Sequence, residues 1–154
     1  MNELLRYQLS LRISHPSIAA DMIGQELGLV PLHAYTAGDE KRTPKGTAIR
    51  GKPRKMTFWV SKIADTDAST SLEDALLTLT RKLATRQAFL AELVASGGRV
   101  EYFVGLFVDR CAGVEISSAL MVQLVKLGID LSFDVYGVDD LAGVGVKDGG
   151  VDRG

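Results

Sequence analysis

The sequence predicts an α+β fold: a two-layer sandwich whose sheet is mostly antiparallel, with helices on one face. Three observations carry that prediction. Strand-like and helix-like segments follow the order β-α-β-(loop)-β-α-β-β-α-β, with strands in runs and few helices. The last strand alternates Leu131, Phe133 and Val135 with Ser132 and Asp134. One sheet face is therefore polar, which suits an antiparallel sheet better than a doubly wound parallel one. Finally, one segment occurs twice, a hundred residues apart: Ser17 to Leu29 aligns without a gap on Ser117 to Ile129. Each copy follows an alternating apolar run, begins with Ser and ends Leu-Gly-aliphatic, the pattern of a strand, a capped helix, a glycine stop and another strand. Two βαβ units with right-handed crossovers, an internal pseudo-repeat of ferredoxin-like character, are the expected result.

The elements follow in order. Leu5, Tyr7, Leu9, Leu11 and Ile13 alternate with Arg6, Gln8, Ser10 and Arg12, which marks a half-buried strand. His15-Pro16 breaks it. Ser17, or Ser14 with Pro16 in the first turn, is the expected cap of a helix that buries Ile18, Met22, Ile23 and Leu27 and stops at Gly28. Leu29 to Tyr35 is a short strand or, given Pro31, an edge or loop. Thr36 to Lys55 reads as a long mobile loop with an excursion near Thr47–Arg50. Met56 to Lys62 is a strand, with Met56, Phe58 and Val60 opposite Thr57, Trp59 and Ser61.

Thr70-Ser71-Leu72-Glu73 fits a capping box, with Thr70 as the cap. The helix after it carries Leu72, Leu76, Leu79, Leu83, Leu90 and Val94 and is stopped by Gly97-Gly98. Arg99 to Val108 is a strong strand, Val114 to Ile116 a short one, and the second repeat helix leads to the strand Asp130–Tyr136. A single domain over residues 1–137 is expected, followed by a flexible tail rich in Gly and Asp over 138–154.

Bulk properties limit the function classes. The chain has 154 residues, 46% apolar and 24% charged, which suits one soluble globular domain. Cys111 is the only cysteine, so no intrachain disulfide forms and a reducing, cytoplasmic setting is expected. The first residues lack the apolar core of a signal peptide, and no run approaches the roughly 18 apolar residues of a membrane span. Net charge is −1 but unevenly spread. Lys41, Arg42, Lys45, Arg50, Lys52, Arg54 and Lys55 put seven of the 18 basic residues, and no acid, into fifteen positions. That asymmetry points to an acidic partner, the protein's own surface included.

Leu27-Gly28-Leu29-Val30-Pro31, Ala34-Tyr35, Gly38-Asp39 and Trp59 stand in an order and spacing that resembles the DUF4279 family, a domain of unknown function. The helix start Ser71-Leu72-Glu73 and the closing run Leu127 to Tyr136 extend the resemblance to residues 5–137. It departs from the family in the length of the basic stretch before the tryptophan. The resemblance implies a fold and no activity; by analogy with some relatives, it suggests an immunity-type partner of a bacterial toxin.

The chemistry is sparse. His15 and His33 stand in no spacing that would aim two ligands at one ion, and both read as satisfied or exposed structural residues. Cys111 beside Arg110 has no histidine near it in sequence, so it reads as incidental rather than nucleophilic. Asp130 and Asp134 share a side with Ser132, which reads as a solvated sheet face rather than an acid/base pair. Gly143 to Lys147 lacks the strand and helix of a phosphate loop. No catalytic, metal or cofactor site is therefore expected.

The candidate ligand-binding set is Tyr35, Asp39, Lys41, Arg42, Arg50, Arg54, Lys55 and Trp59, with Tyr35 and Trp59 sharing a pocket. Against it stands a solvated insertion, with Trp59 as a core or edge residue. The expected function is a non-enzymatic binding or interaction domain that takes an acidic protein surface. The alternatives are a binder of, or enzyme for, a small anionic ligand, and weak nucleic-acid binding with Phe58-Trp59 stacking a base. A domain pI near 6 opposes nucleic acid, and no membrane partner is expected.

Overall fold

The strand with the strictest alternation sits at the centre of the sheet. The computed structural model describes residues 5–65 and 70–137. Its elements are β1 (Leu5–His15), α1 (Ala20–Leu27), β2 (His33–Tyr35), β3 (Glu40–Arg42), β4 (Ala48–Pro53), β5 (Thr57–Asp65), α2 (Leu72–Ala84), α3 (Gln87–Ala95), β6 (Arg99–Val108), α4 (Ser118–Leu127) and β7 (Ile129–Gly137). The five-stranded sheet has the order β2-β5-β1-β6-β7, and β3 and β4 form a separate two-stranded ribbon. β1 is antiparallel to β5 and β6, β2 is antiparallel to β5, and β7 runs parallel to β6. The fold is thus the expected α+β class with a mostly antiparallel, mixed sheet. The expected tail, residues 138–154, lies outside the described residues.

One sheet face is covered. Tyr7, Leu9, Leu11 and Ile13 of β1 and Val100, Tyr102, Val104 and Leu106 of β6 are buried against the helices, as is Ile129 of β7. From the helices, Ile23, Leu27, Leu76, Leu79, Leu83, Leu90, Leu93, Leu120 and Leu124 complete the core. The alternate residues of the same strands face outward and, apart from the buried Gly105, stay half-buried or exposed.

The two repeat copies differ in use. β6-α4-β7 is a unit whose strands pair directly, whereas β5 lies between β1 and β2. Both helices end as expected, on Gly28 and Gly128 with φ of 64° and 68°, a left-handed conformation that favours glycine. Ser117 caps α4, its Oγ accepting from the Leu120 amide. Ser17 does not cap α1, which starts at Ala20 after Ala19. The amides of Ser17 and Ile18 are donated to His15 Nδ1 instead, and the Ala20 amide to Thr36 Oγ1. His15 Nε2 closes the network on Ser96 Oγ at 2.8 Å, so this buried imidazole is a fully engaged structural residue.

Four further expectations are corrected. The basic segment contains a hairpin, with Lys41 opposite Ile49 and Arg42 opposite Ala48, turned through Thr43–Thr47. An exposed two-stranded ribbon buries neither face, so it carries no apolar alternation to betray it. The expected helix from Leu72 to Val94 is two helices. Thr85 Oγ1 donates to the Lys82 carbonyl and Arg86 N to the Leu83 carbonyl, which ends α2 and re-aims the chain. Leu93 then turns inward while Val94 is exposed.

The cap of α2 is Ser71, not Thr70: its Oγ accepts from the Asp74 amide. Glu73 does not reach back but accepts the Ser117 amide, tying the start of α2 to that of α4. Finally, Val114–Ile116 forms no strand.

Tyr102 lies fully buried under α2. Its hydroxyl is 2.9 Å from Thr80 Oγ1, which itself donates to the Leu76 carbonyl, so the phenol donates to the threonine. Burial pushes the phenol from its ordinary value of 10.0 up to about 12. The unfolded chain therefore loses this proton first. The stability it contributes is complete below pH 10 and is lost as the pH rises through about 12. A loss of roughly 2–3 kcal/mol over that window is expected, and Tyr102→Phe should flatten it when urea midpoints are followed with pH.

Candidate functional site

The sheet face that no described helix covers is where local sequence places chemistry without burying it. Strand alternation puts Arg12 and Ser14 of β1, Phe58 and Val60 of β5, and Glu101, Phe103 and Phe107 of β6 on that side, with Ser132, Asp134 and Tyr136 of β7. β2 adds His33 opposite Val60 and Tyr35 opposite Phe58.

Aromatic rings form three groups across this face. At the β2 edge, Tyr35 meets His33 edge-on at 5.8 Å and Phe58 at 5.7 Å. In the middle, the Arg12 guanidinium carbon stands 3.5 Å from the centre of the Phe103 ring. At the β7 edge, Phe107 and Tyr136 stack at 5.2 Å with 14° between planes. Two of the groups hold a cation face-on, because Arg54 also lies over Tyr35, at 4.0 Å. Arg12 Nε is buried and has no hydrogen-bond partner among the described residues, so the Phe103 ring is the contact that positions this side chain.

The acids of the face are engaged. Glu101 Oε2 receives Arg99 at 2.9 Å and the Ser132 hydroxyl at 2.8 Å, and Arg99 Nε reaches Asp130 at 2.8 Å. The hydrogen bond to Asp130 and the charge of Glu101 hold the exposed Arg99 guanidinium above its ordinary pKa. These are solvated ion pairs on a sheet face, worth little in stability. Arg99 offsets one of the two negative charges of Glu101 and Asp130, and Asp134 meets the Tyr136 hydroxyl at 3.4 Å.

The basic ribbon is rooted at the same edge. Gly38 N donates to the Arg54 carbonyl and Arg54 N to the Asp39 carbonyl, while Asp39 Oδ2 accepts the Thr36 amide. Asp39 thus shapes the turn that delivers Arg54 onto Tyr35. Lys41 and Arg42 stand on β3 and Arg50 on β4, with Lys55 just beyond β4; Arg42 Nη1 also closes the hairpin turn on the Gly46 carbonyl.

Of the residues predicted as a site, Tyr35, Arg54 and the Asp39 turn come together. Trp59 does not join them. It is fully buried, pairs with Ala34 and Ile13, and faces α1 on the opposite side of the sheet from Tyr35. Tyr35 and Trp59 share no pocket. The reason is visible in β5: Thr57 and Ser61, whose hydroxyls made that side look polar, are satisfied by the Ile18 and Val30 carbonyls and accompany Trp59 into the core.

Sequence reasoning missed Arg12, Phe103, Phe107 and Tyr136. Position parity within each strand was the available signal, and β6 obscures it because aromatic rings stand on both of its faces, Tyr102 on one and Phe103 and Phe107 on the other.

The helix layer carries a separate groove of about 490 Å³ between α1 and α3, lined by His15, Met22, Glu26, Phe89 and Glu92 among others. Its histidine is committed to the backbone amides described above. Cys111 is exposed, and the described residues hold no group of three metal-ligating side chains. No described helix is long and apolar enough to cross a membrane.

A family model described as a domain of unknown function, DUF4279, covers residues 5–138. No curated protein and no solved structure matches the chain.

Proposed function

The chain belongs to the DUF4279 family, and we propose that it is a non-catalytic binding domain that takes an acidic protein segment on its open sheet face. The observation that carries this reading is the pair of cations held over uncovered rings, Arg12 on Phe103 and Arg54 on Tyr35. Rings and guanidinium groups interleaved on one flat surface can accept carboxylates and apolar side chains together. The ribbon adds Lys41, Arg42 and Arg50 beside the same edge and extends the attraction outward. An immunity-type partnership with a toxin is a special case of this reading, with the toxin supplying the acidic surface.

The test uses two labelled probes: a peptide of alternating glutamate and phenylalanine, and an oligothymidine of similar length. The peptide is expected to bind, to weaken as salt is added, and to lose about fivefold in affinity with Arg54→Ala. Tighter binding of the oligothymidine would replace this reading with nucleic-acid recognition. Failure of both probes to bind, or an Arg54→Ala variant with unchanged affinity, would remove it.

A further inference from the structure

We propose that the chain pairs with a second copy of itself along β7, antiparallel, about a two-fold axis at Phe133. The two edges of the sheet are unequal. β2 is three residues long and closely follows Pro31, so it offers little to pair with. β7 runs nine residues in unbroken register with β6, from Ile129 opposite Val100 to Gly137 opposite Val108. It contains no proline, lysine or arginine, and no described strand pairs with its outer side. Exposed edges of this length are usually blunted by such residues or by a bulge. Here they are absent.

Apolar surface accompanies the open edge. On the helix side of β7, Ile129 is buried and Leu131 packs on the core, but Phe133 is 39% and Val135 62% exposed. On α4, the helix that packs on β7, Met121, Val122 and Val125 are 49%, 50% and 80% exposed. They line a shallow apolar depression with Ser118 and Lys126.

The choice of a second copy rests on how β7 meets itself. Centring the pair on Ser132 sets Asp130 against Asp134 twice, two like-charge pairs that oppose association. Centring it on Asp134 puts two carboxylates on the axis, and centring it on Leu131 shortens the overlap to Ile129–Phe133. With Phe133 on the axis, every pairing between Asp130 and Tyr136 is favourable. Phe133 faces Phe133, Leu131 faces Val135, Ser132 faces Asp134 and Asp130 faces Tyr136 of the second copy. From Asp130 to Tyr136 each carboxylate meets a hydroxyl and each apolar side chain meets another, while the end pair sets the buried Ile129 against Gly137.

A two-fold axis perpendicular to the sheet keeps both helix layers on one side. α4 and its copy then flank the seam and can bury the Met121, Val122 and Val125 stripes, adding helix contact to a strand edge too narrow for a stable dimer alone. Two five-stranded sheets become one of ten strands. The two open faces adjoin, with the Phe107–Tyr136 stacks on either side of the seam.

Sedimentation equilibrium on the full chain tests the association, and cysteine cross-linking tests the register. A dimer is expected, shifted toward monomer at least tenfold in dissociation constant by Val135→Lys and by Val125→Glu. Both positions are well exposed, so the variants should keep the parent's circular dichroism. In a Cys111→Ser background, oxidised glutathione should convert Phe133→Cys to a covalent dimer far faster than Ser132→Cys. A chain that stays monomeric to millimolar concentration overturns the proposal, and so does faster cross-linking through position 132.

Discussion

Trp59→Ala is expected to remove about 3–5 kcal/mol of stability, the usual cost of emptying a large aromatic site in a core. The ring is completely buried between β5 and α1, and its Nε1 stands 3.6 Å from where a Cβ on Gly24 would sit. The helix cannot collapse into the vacated volume without dragging Gly28 and the strand pairing of β2 with it. Trp59→Phe should be much milder, about 1–2 kcal/mol. It keeps most of the packing and deletes an indole N–H that has no hydrogen-bond partner among the described residues. Denaturant unfolding followed by far-ultraviolet circular dichroism measures both. The result also separates two roles for this residue: an alanine variant as stable as the parent but poor at binding the acidic peptide would contradict its place in the core.

Gly98→Ala should be nearly as damaging, by about 3 kcal/mol, for the opposite reason. A Cβ there would lie 2.3 Å from Leu93 Cδ2, 2.6 Å from the Leu93 carbonyl oxygen and 3.0 Å from His15 Cδ2. The side-chain methyl could rotate away. The carbonyl could not, because it belongs to the last turn of α3 and accepts the Gly98 amide at 2.8 Å. Relief would have to come from moving the start of β6, and with it the imidazole that organises the entry to α1. A drop of roughly 10 °C in the thermal midpoint is expected for a domain of this size. Gly113→Ala, with nothing within 4 Å of its Cβ, is the control. Equal midpoints for the two variants would refute the close approach.

Both predictions concern positions whose environment the sequence discloses only in part. The strands β1 and β7 were legible because a period of two is hard to mistake, and the ends of α1 and α4 because Leu-Gly-aliphatic marks a left-handed stop. What alternation does not disclose is which face is inside when the polar side chains are threonine and serine. Thr57 and Ser61 go inward with Trp59, satisfied by carbonyls far away in sequence, and Phe58 goes outward. The candidate site suffered from the same ambiguity. Tyr35 and Arg54 could be singled out from a basic segment beside an aromatic residue, whereas Arg12 on Phe103 depends on a cross-strand register between residues 91 positions apart. The basic ribbon was hidden because an exposed hairpin needs no buried stripe.

The central place of β1 has a consequence for how the chain is made. Of the five strands in the main sheet it leaves the ribosome first, yet both its neighbours come late, and Leu5 finds its partner only when Val108 has been synthesised. Until then an eleven-residue strand, apolar on one side, must wait without its second edge covered. Nucleation cannot be local, and closure of these long loops should set the folding rate. A nascent chain halted before Arg99 would display an unpaired strand edge beside unburied Leu9, Leu11 and Ile13, the kind of surface that holdase chaperones bind.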